Sequence, residues 1–92
     1  MPRRRARVAT ATGLHARPAS LVTRKAAEGG HPVLISREGE PGVDASSILS
    51  VMGLRLQHGD QVELSSTADD AEALLDELAA LLESDLDLVE QA

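Results

Sequence analysis

Ninety-two residues with a formal net charge of −6 and no Phe, Tyr, Trp or Cys span one domain's length, which excludes disulfide staples, thiolate chemistry and recognition of nucleic acid by aromatic stacking. A domain of this size buries only about 60–65% of its unfolded surface, so a shallow surface site is expected rather than a deep enclosed one. Leu, Ile, Val, Ala and Met must build the core, and the absence of cysteine suits a reducing cytosol.

The Arg3-Arg4-Arg5 start has no apolar run after it, so neither a secretory signal nor membrane insertion is expected, and the chain reads as cytoplasmic. Residues 4–10 alternate, with Ala6, Val8 and Thr10 on one side, which predicts a half-buried strand. Gly13 breaks that pattern. From Ala16 to Glu28, Ala19, Val22 and Ala26 mark a helical face with Leu21 and Ala27 beside it. Pro18 is tolerated only in a first turn, which sets the start at about residue 16, and Gly29-Gly30 supplies a left-handed stop.

Val33-Leu34-Ile35 predicts a short strand, returned by a turn through Glu38-Gly39-Glu40 or Pro41-Gly42 to a brief partner around Val43. In residues 47–54, Ile48, Val51 and Met52 fall at i, i+3 and i+4, a short helix capped by Ser46 or Ser47. His58-Gly59-Asp60 is a turn, and Gln61 to Ser65 is a strand with Val62 and Leu64 inward. The last helix carries a stripe of Ala71, Leu74, Leu75, Leu78, Leu81 and Leu82. Ser66 and Asp69 have capping-box spacing before it, and Asp69, Asp70 and Glu72 are expected in its first turn. Residues 84–92 read as a loose acidic tail.

The order β-α-β-β-α-β-α, with no linker, predicts a single α+β domain over residues 1–92. One-sided helices need a sheet face to cover, so the expected architecture is a two-layer open-faced sandwich: a four-stranded antiparallel sheet with three helices on one face. Charge is unevenly spread. Arg3, Arg4, Arg5, Arg7, Arg17, Arg24 and Lys25 lie in the first third, whereas acids crowd the end from Asp69 to Glu90. That is either two solvated faces of opposite sign or a basic patch around residue 15 that meets an anion or an acidic partner.

The patch reading draws on His15. A strand ending near Thr12 and a helix starting at about Ala16 place it at a helix mouth, where the Ala16 and Arg17 amides have no intrahelical acceptor. Such a mouth suits phosphate, and Arg17 adds a planar fork of donors. Neutral imidazole is a competent nucleophile, and nearby positive charge both favours its neutral form and stabilises an attached phosphoryl group. The three histidines, His15, His31 and His58, lack metal-ligand spacing, so no metal and no cofactor are expected.

Gly13-Leu14-His15-Ala16-Arg17-Pro18-Ala19-Ser20 resembles the active-site signature of the HPr family, the histidine-containing phosphocarriers of the bacterial sugar phosphotransferase system. Ser46 to Leu54 resembles that family's short second helix, and the likeness runs over roughly residues 4–83 with the same element order. The resemblance implies that His15 is phosphorylated on Nδ1 by phospho-enzyme I, which takes the group from phosphoenolpyruvate, and passes it to enzyme II A components. It implies that Arg17 attends the phosphate and that Ile48, Leu49 and Met52, with Ser20 and Arg24, dock partners. It also implies that Ser47 is a regulatory phosphosite in some branches. Here, though, Ser46 and Ser50 stand where lysine and glycine are frequent, and Ser47 reads first as a helix cap. From the residues alone, Ile48, Leu49, Val51 and Met52 cannot all enter the core, so some apolar surface must show. A monomer that binds neither nucleic acid nor membrane is expected. The alternative is a regulatory module of the same fold, or a carrier for nitrogen or dihydroxyacetone pathways, acting mainly through protein contacts.

Overall fold

The computed structural model describes residues 2–10, 13, 14 and 16–84. Its elements in chain order are β1 (Arg3–Arg7), α1 (Ala16–Glu28), β2 (Leu34–Arg37), β3 (Val43–Asp44), α2 (Ile48–Gly53), β4 (Gln61–Ser65) and α3 (Glu72–Glu83). The strands form one antiparallel sheet in the order β1-β4-β2-β3. Opposed residues share a face, so the register Ala6↔Val62 and Ile35↔Leu64 turns these side chains towards the helices. Arg3, Arg5 and Arg7 lie on the other face, which stays open.

The helices cover the inward face with a core of small and branched side chains. Val22, Ile35, Val51, Val62, Leu64, Leu78 and Leu82 are fully buried. Alternation in Gln61–Ser65 and the 3.6-residue stripe of the last helix are realised as read: Val62 and Leu64 point in, and Leu74, Leu75, Leu78 and Leu82 are buried. Leu81 is only partly buried at the margin.

Helix α1 has the predicted limits, with Pro18 buried in its first turn and Gly30 taking the left-handed conformation beyond its end (φ +79°). The hairpin after β2 turns through Glu38 and Gly39, where Glu40 donates to the Arg37 carbonyl at 3.0 Å and Gly39 has φ +83°. Of the two candidate caps for α2, Ser47 serves: its hydroxyl accepts the Ser50 N–H at 3.3 Å. Ser46 turns back to the Asp44 carboxylate, donating from both N–H and hydroxyl. Those two bonds hold the Asp44 carboxyl below its ordinary pKa, the hydroxyl contributing most.

Two expectations are corrected. The first strand stops at Arg7 rather than running to residue 10, because β4 begins at its partner Gln61. Beyond that point Val8 bonds to the turn instead, donating to the Asp60 carbonyl at 3.0 Å and accepting from Gly59 at 2.7 Å, and Val8 and Thr10 remain buried. The capping box does not form either. Ala71, not Ser66, precedes α3, with no side-chain cap, and of the expected acids only Glu72 is in the first turn. The Ser66 hydroxyl accepts from the Ala68 N–H at 3.0 Å, so a local turn captures the group before the helix begins. Of the acidic tail, only Ser84 is described, and residues 85–92 lie outside the described residues. No helix among the described residues is long and apolar enough to cross a membrane.

Leu78→Ala should lower unfolding free energy by about 2–5 kcal/mol, whereas Leu49→Ala, on the surface, should change it by about 0.5 kcal/mol at most. Denaturant titration of both variants checks the placement of the core.

Candidate functional site

Histidine 15, together with Ala11 and Thr12, lies outside the described residues, but the structure fixes what stands on either side of it. Before it, Gly13 donates to the Thr10 carbonyl at 2.9 Å, and Leu14 donates to the Leu56 carbonyl at 3.0 Å with its side chain buried. Gly13 takes φ +77°, and a Cβ added there would come within 2.5 Å of the Leu56 oxygen. Only glycine fits this approach, because both the conformation and the space refuse a side chain. After it, α1 begins at Ala16, so residue 15 falls between a seated turn and a helix start.

The first turn of α1 holds Arg17 and no acidic side chain. Ala16 and Arg17 are exposed, while Pro18 and Ala19 are buried and anchor the turn. Positive partial charge at a helix N-terminus and a guanidinium in that first turn act in the same direction on any anion at residue 15. The Ser20 hydroxyl donates to the Arg17 carbonyl at 2.9 Å and Ser20 is half-buried, whereas Arg24 is exposed two turns along.

Helix α2 packs against α1. Val51 is its anchor, fully buried, and Ile48, Leu49 and Met52 are 37%, 82% and 38% exposed. Ile48 therefore belongs to the surface patch and not to the core. Leu34 is a further exposed apolar side chain, on the open face of the sheet, as its position between inward Val33 and Ile35 requires. His31 lies 3.7 Å from the Asp70 carboxylate ahead of α3, and His58 is exposed in a turn. A cleft of about 350 Å³ between α1 and α3, lined by Lys25, Glu77, Ala80 and Leu81, is bridged by a Lys25–Glu77 ion pair of 3.3 Å. Lys25 lies eight residues along α1 from Arg17, roughly 12 Å at the rise of a helix, so this cleft is not part of the site.

A residue that the sequence reading passed over braces the loop that carries Leu56. Arg37 donates from Nε to the Leu54 carbonyl at 3.0 Å, from Nη2 to the Arg55 carbonyl, and from Nη1 to Asp60 Oδ2 at 2.7 Å. Asp60 Oδ2 also accepts the Gln57 N–H at 2.8 Å. The Gln57 amide, and after it the Arg37 guanidinium, hold the Asp60 carboxyl below the ordinary carboxylate range, against partial burial that acts the other way. The available signal was the two-residue period: Val33 and Ile35 point inward, which makes Arg37 a charge on the core side that needs partners.

Residues 2–84 match the family described as "PTS HPr component phosphorylation site". The chain is 45% identical over 87 residues to the phosphocarrier protein HPr of Streptomyces coelicolor, covering 95% of this chain and 94% of that protein. It is 44% identical over 71 residues to the HPr of Haloferax volcanii, covering 76% and 80% respectively. The crystal structure of an HPr from Thermoanaerobacter tengcongensis superposes with a TM-score of 0.84 at 32% identity, covering 95% of this chain and 97% of that one.

The Gly13 contact is directly testable. Gly13→Ala should cost at least about 2 kcal/mol, whereas Gly39→Ala, at a similar φ but in open space, should cost about 1 kcal/mol. Equal losses in denaturant unfolding would mean that the Leu56 carbonyl yields without resistance.

Proposed function

The chain belongs to the HPr family of phosphocarriers of the phosphotransferase system, and from that premise we propose that His15 accepts a phosphoryl group from phospho-enzyme I and hands it to enzyme II A components for sugar uptake. The lone pair of neutral Nδ1 forms a P–N bond as the phosphorus parts from its donor, and the second transfer reverses this at the acceptor. The chain is a carrier in a relay, not a catalyst. The observation that supports the site most is the start of α1 at Ala16, immediately after residue 15, with Arg17 and no acid in its first turn. Bidentate donors and a helix N-terminus favour the phosphorylated state, while their positive charge favours neutral imidazole before transfer.

Ile48, Leu49 and Met52 give partners an apolar surface beside α1, with Arg24 and the backbone-bonded Ser20 at its edge. A carrier must bind its donor and its acceptors in turn, and one modest patch suits brief encounters of that kind. Ser47 caps α2 through its hydroxyl. A phosphate on that oxygen would set about two negative charges beside Ile48 and Leu49 and disfavour apolar docking there, which is the regulatory use read for it. We read the protein as a cytoplasmic monomer that needs no cofactor and binds neither nucleic acid nor membrane.

Incubation with enzyme I and labelled phosphoenolpyruvate should label the wild type and leave His15→Ala unlabelled; equal labelling of the two ends the proposal. Arg17→Ala should fold normally and transfer about tenfold more slowly. In the same assay, Leu49→Glu or Met52→Glu should raise the KM of enzyme I for the carrier by about tenfold, and an unchanged KM would place docking elsewhere.

A further inference from the structure

We propose that Arg37, which lies outside the phosphoacceptor motif, is a positioning residue for phosphotransfer: its guanidinium fixes the loop whose Leu56 carbonyl seats the segment leading into His15. The role rests on the carrier reading above.

Three donors on one planar group meet three acceptors on one loop. The Leu54 and Arg55 carbonyls and Asp60 Oδ2 all accept from Arg37, and Asp60 in turn takes the Gln57 N–H. Residues 54, 55, 57 and 60 are thereby tied together, and Leu56 sits among them with its side chain buried. Its carbonyl accepts the Leu14 N–H at 3.0 Å and stands against the Gly13 Cα. Because the chain passes from Leu14 to residue 15 through one peptide unit, displacing Leu56 displaces the imidazole's point of attachment.

The base of the clasp is rigid. Arg37 closes β2 on the inward face, opposite Val62 of the central strand β4. The loop has reason to move without it, since Arg55 holds φ +53°, a left-handed conformation unfavourable to a residue that bears a side chain. Lysine would not substitute. One ammonium can meet Asp60, but it lacks the fixed fork that reaches two carbonyls and a carboxylate together.

The test compares wild type, Arg37→Gln and Arg37→Lys as substrates of enzyme I, with amide hydrogen exchange on the same proteins. Both variants should give a kcat about tenfold lower with KM within about twofold of wild type, because an imidazole set askew slows transfer without loosening the docking patch. Leu14 and Gln57 amide exchange should speed up by about tenfold or more, while Ile35 and Leu64 exchange stays unchanged. A purely structural role would move the core amides and the folded fraction and leave kcat per folded molecule intact. Should Arg37→Gln fail to fold, Asp60→Asn, which removes the charged arm alone, should still lower kcat by about threefold and free the Leu14 amide. Wild-type kcat in Arg37→Gln, or in Asp60→Asn where Arg37→Gln does not fold, overturns the positioning role and leaves the carrier reading standing. An unlabelled wild type overturns both, and a lysine variant with full activity overturns the claim for the fork.

Discussion

The hydrogen bond from the Leu14 N–H to the Leu56 carbonyl joins the turn before the histidine to the loop after α2, and the placement of the site depends on it. Neither side could be held by hydrophobic burial alone. Gly13 offers no side chain, and the loop from Leu54 to Asp60 exposes Arg55, Gln57 and His58. What holds them is a single approach that only glycine permits, together with the buried side chains of Leu14 and Leu56 flanking it. A chain of this length has a small core, so a polar brace such as the one from Arg37 fixes geometry where more apolar packing is not to be had.

The uneven charge resolves along similar lines. The acidic side of α3 is met by cations from the basic third: Arg4 reaches Asp76 at 2.9 Å and Lys25 reaches Glu77 at 3.3 Å. Half-exposed pairs of this kind contribute about 0–1 kcal/mol each, so they orient α3 more than they stabilise it. The reading of two solvated faces thus describes α3 and its neighbours. The first turn of α1 carries Arg17 and no acid of its own.

Local signals were legible in the sequence wherever one segment alone decides its own shape. The limits of α1 follow from Pro18 and Gly30, the inward pair of β4 from alternation, and the cap of α2 from a serine before an apolar run. Most of the misses are places where a distant partner decides. The Ser66–Asp69 spacing loses to a competing local turn between Ser66 and Ala68, whereas the first strand ends where β4 begins, at the Arg7–Gln61 pair. Arg37 was overlooked for the same reason, since its acceptors lie well beyond any local window. The histidine was singled out by its motif, and the structure describes its neighbours rather than the residue itself.

The exposed patch on α2 is best judged against what it forgoes. Burying a Leu, Ile or Met side chain is worth about 1.5–3 kcal/mol, and a small domain has little stability to spare, yet Leu49 stands 82% exposed beside half-exposed Ile48 and Met52. Val51 alone secures the helix to the core. If fold stability governed this helix, its apolar residues would follow Val51 inward at helical spacing; instead three of the four face water next to α1. The helix is also closed at both ends by its own residues, by the Ser47 cap and by the Leu54 N–H, which donates to the Val51 carbonyl at 3.1 Å. A surface left apolar and held still fits the docking role proposed for it. Arg37 acts beyond that helix, on the loop under Leu14, so the apolar face of α2 and the turn leading to residue 15 are held by separate contacts.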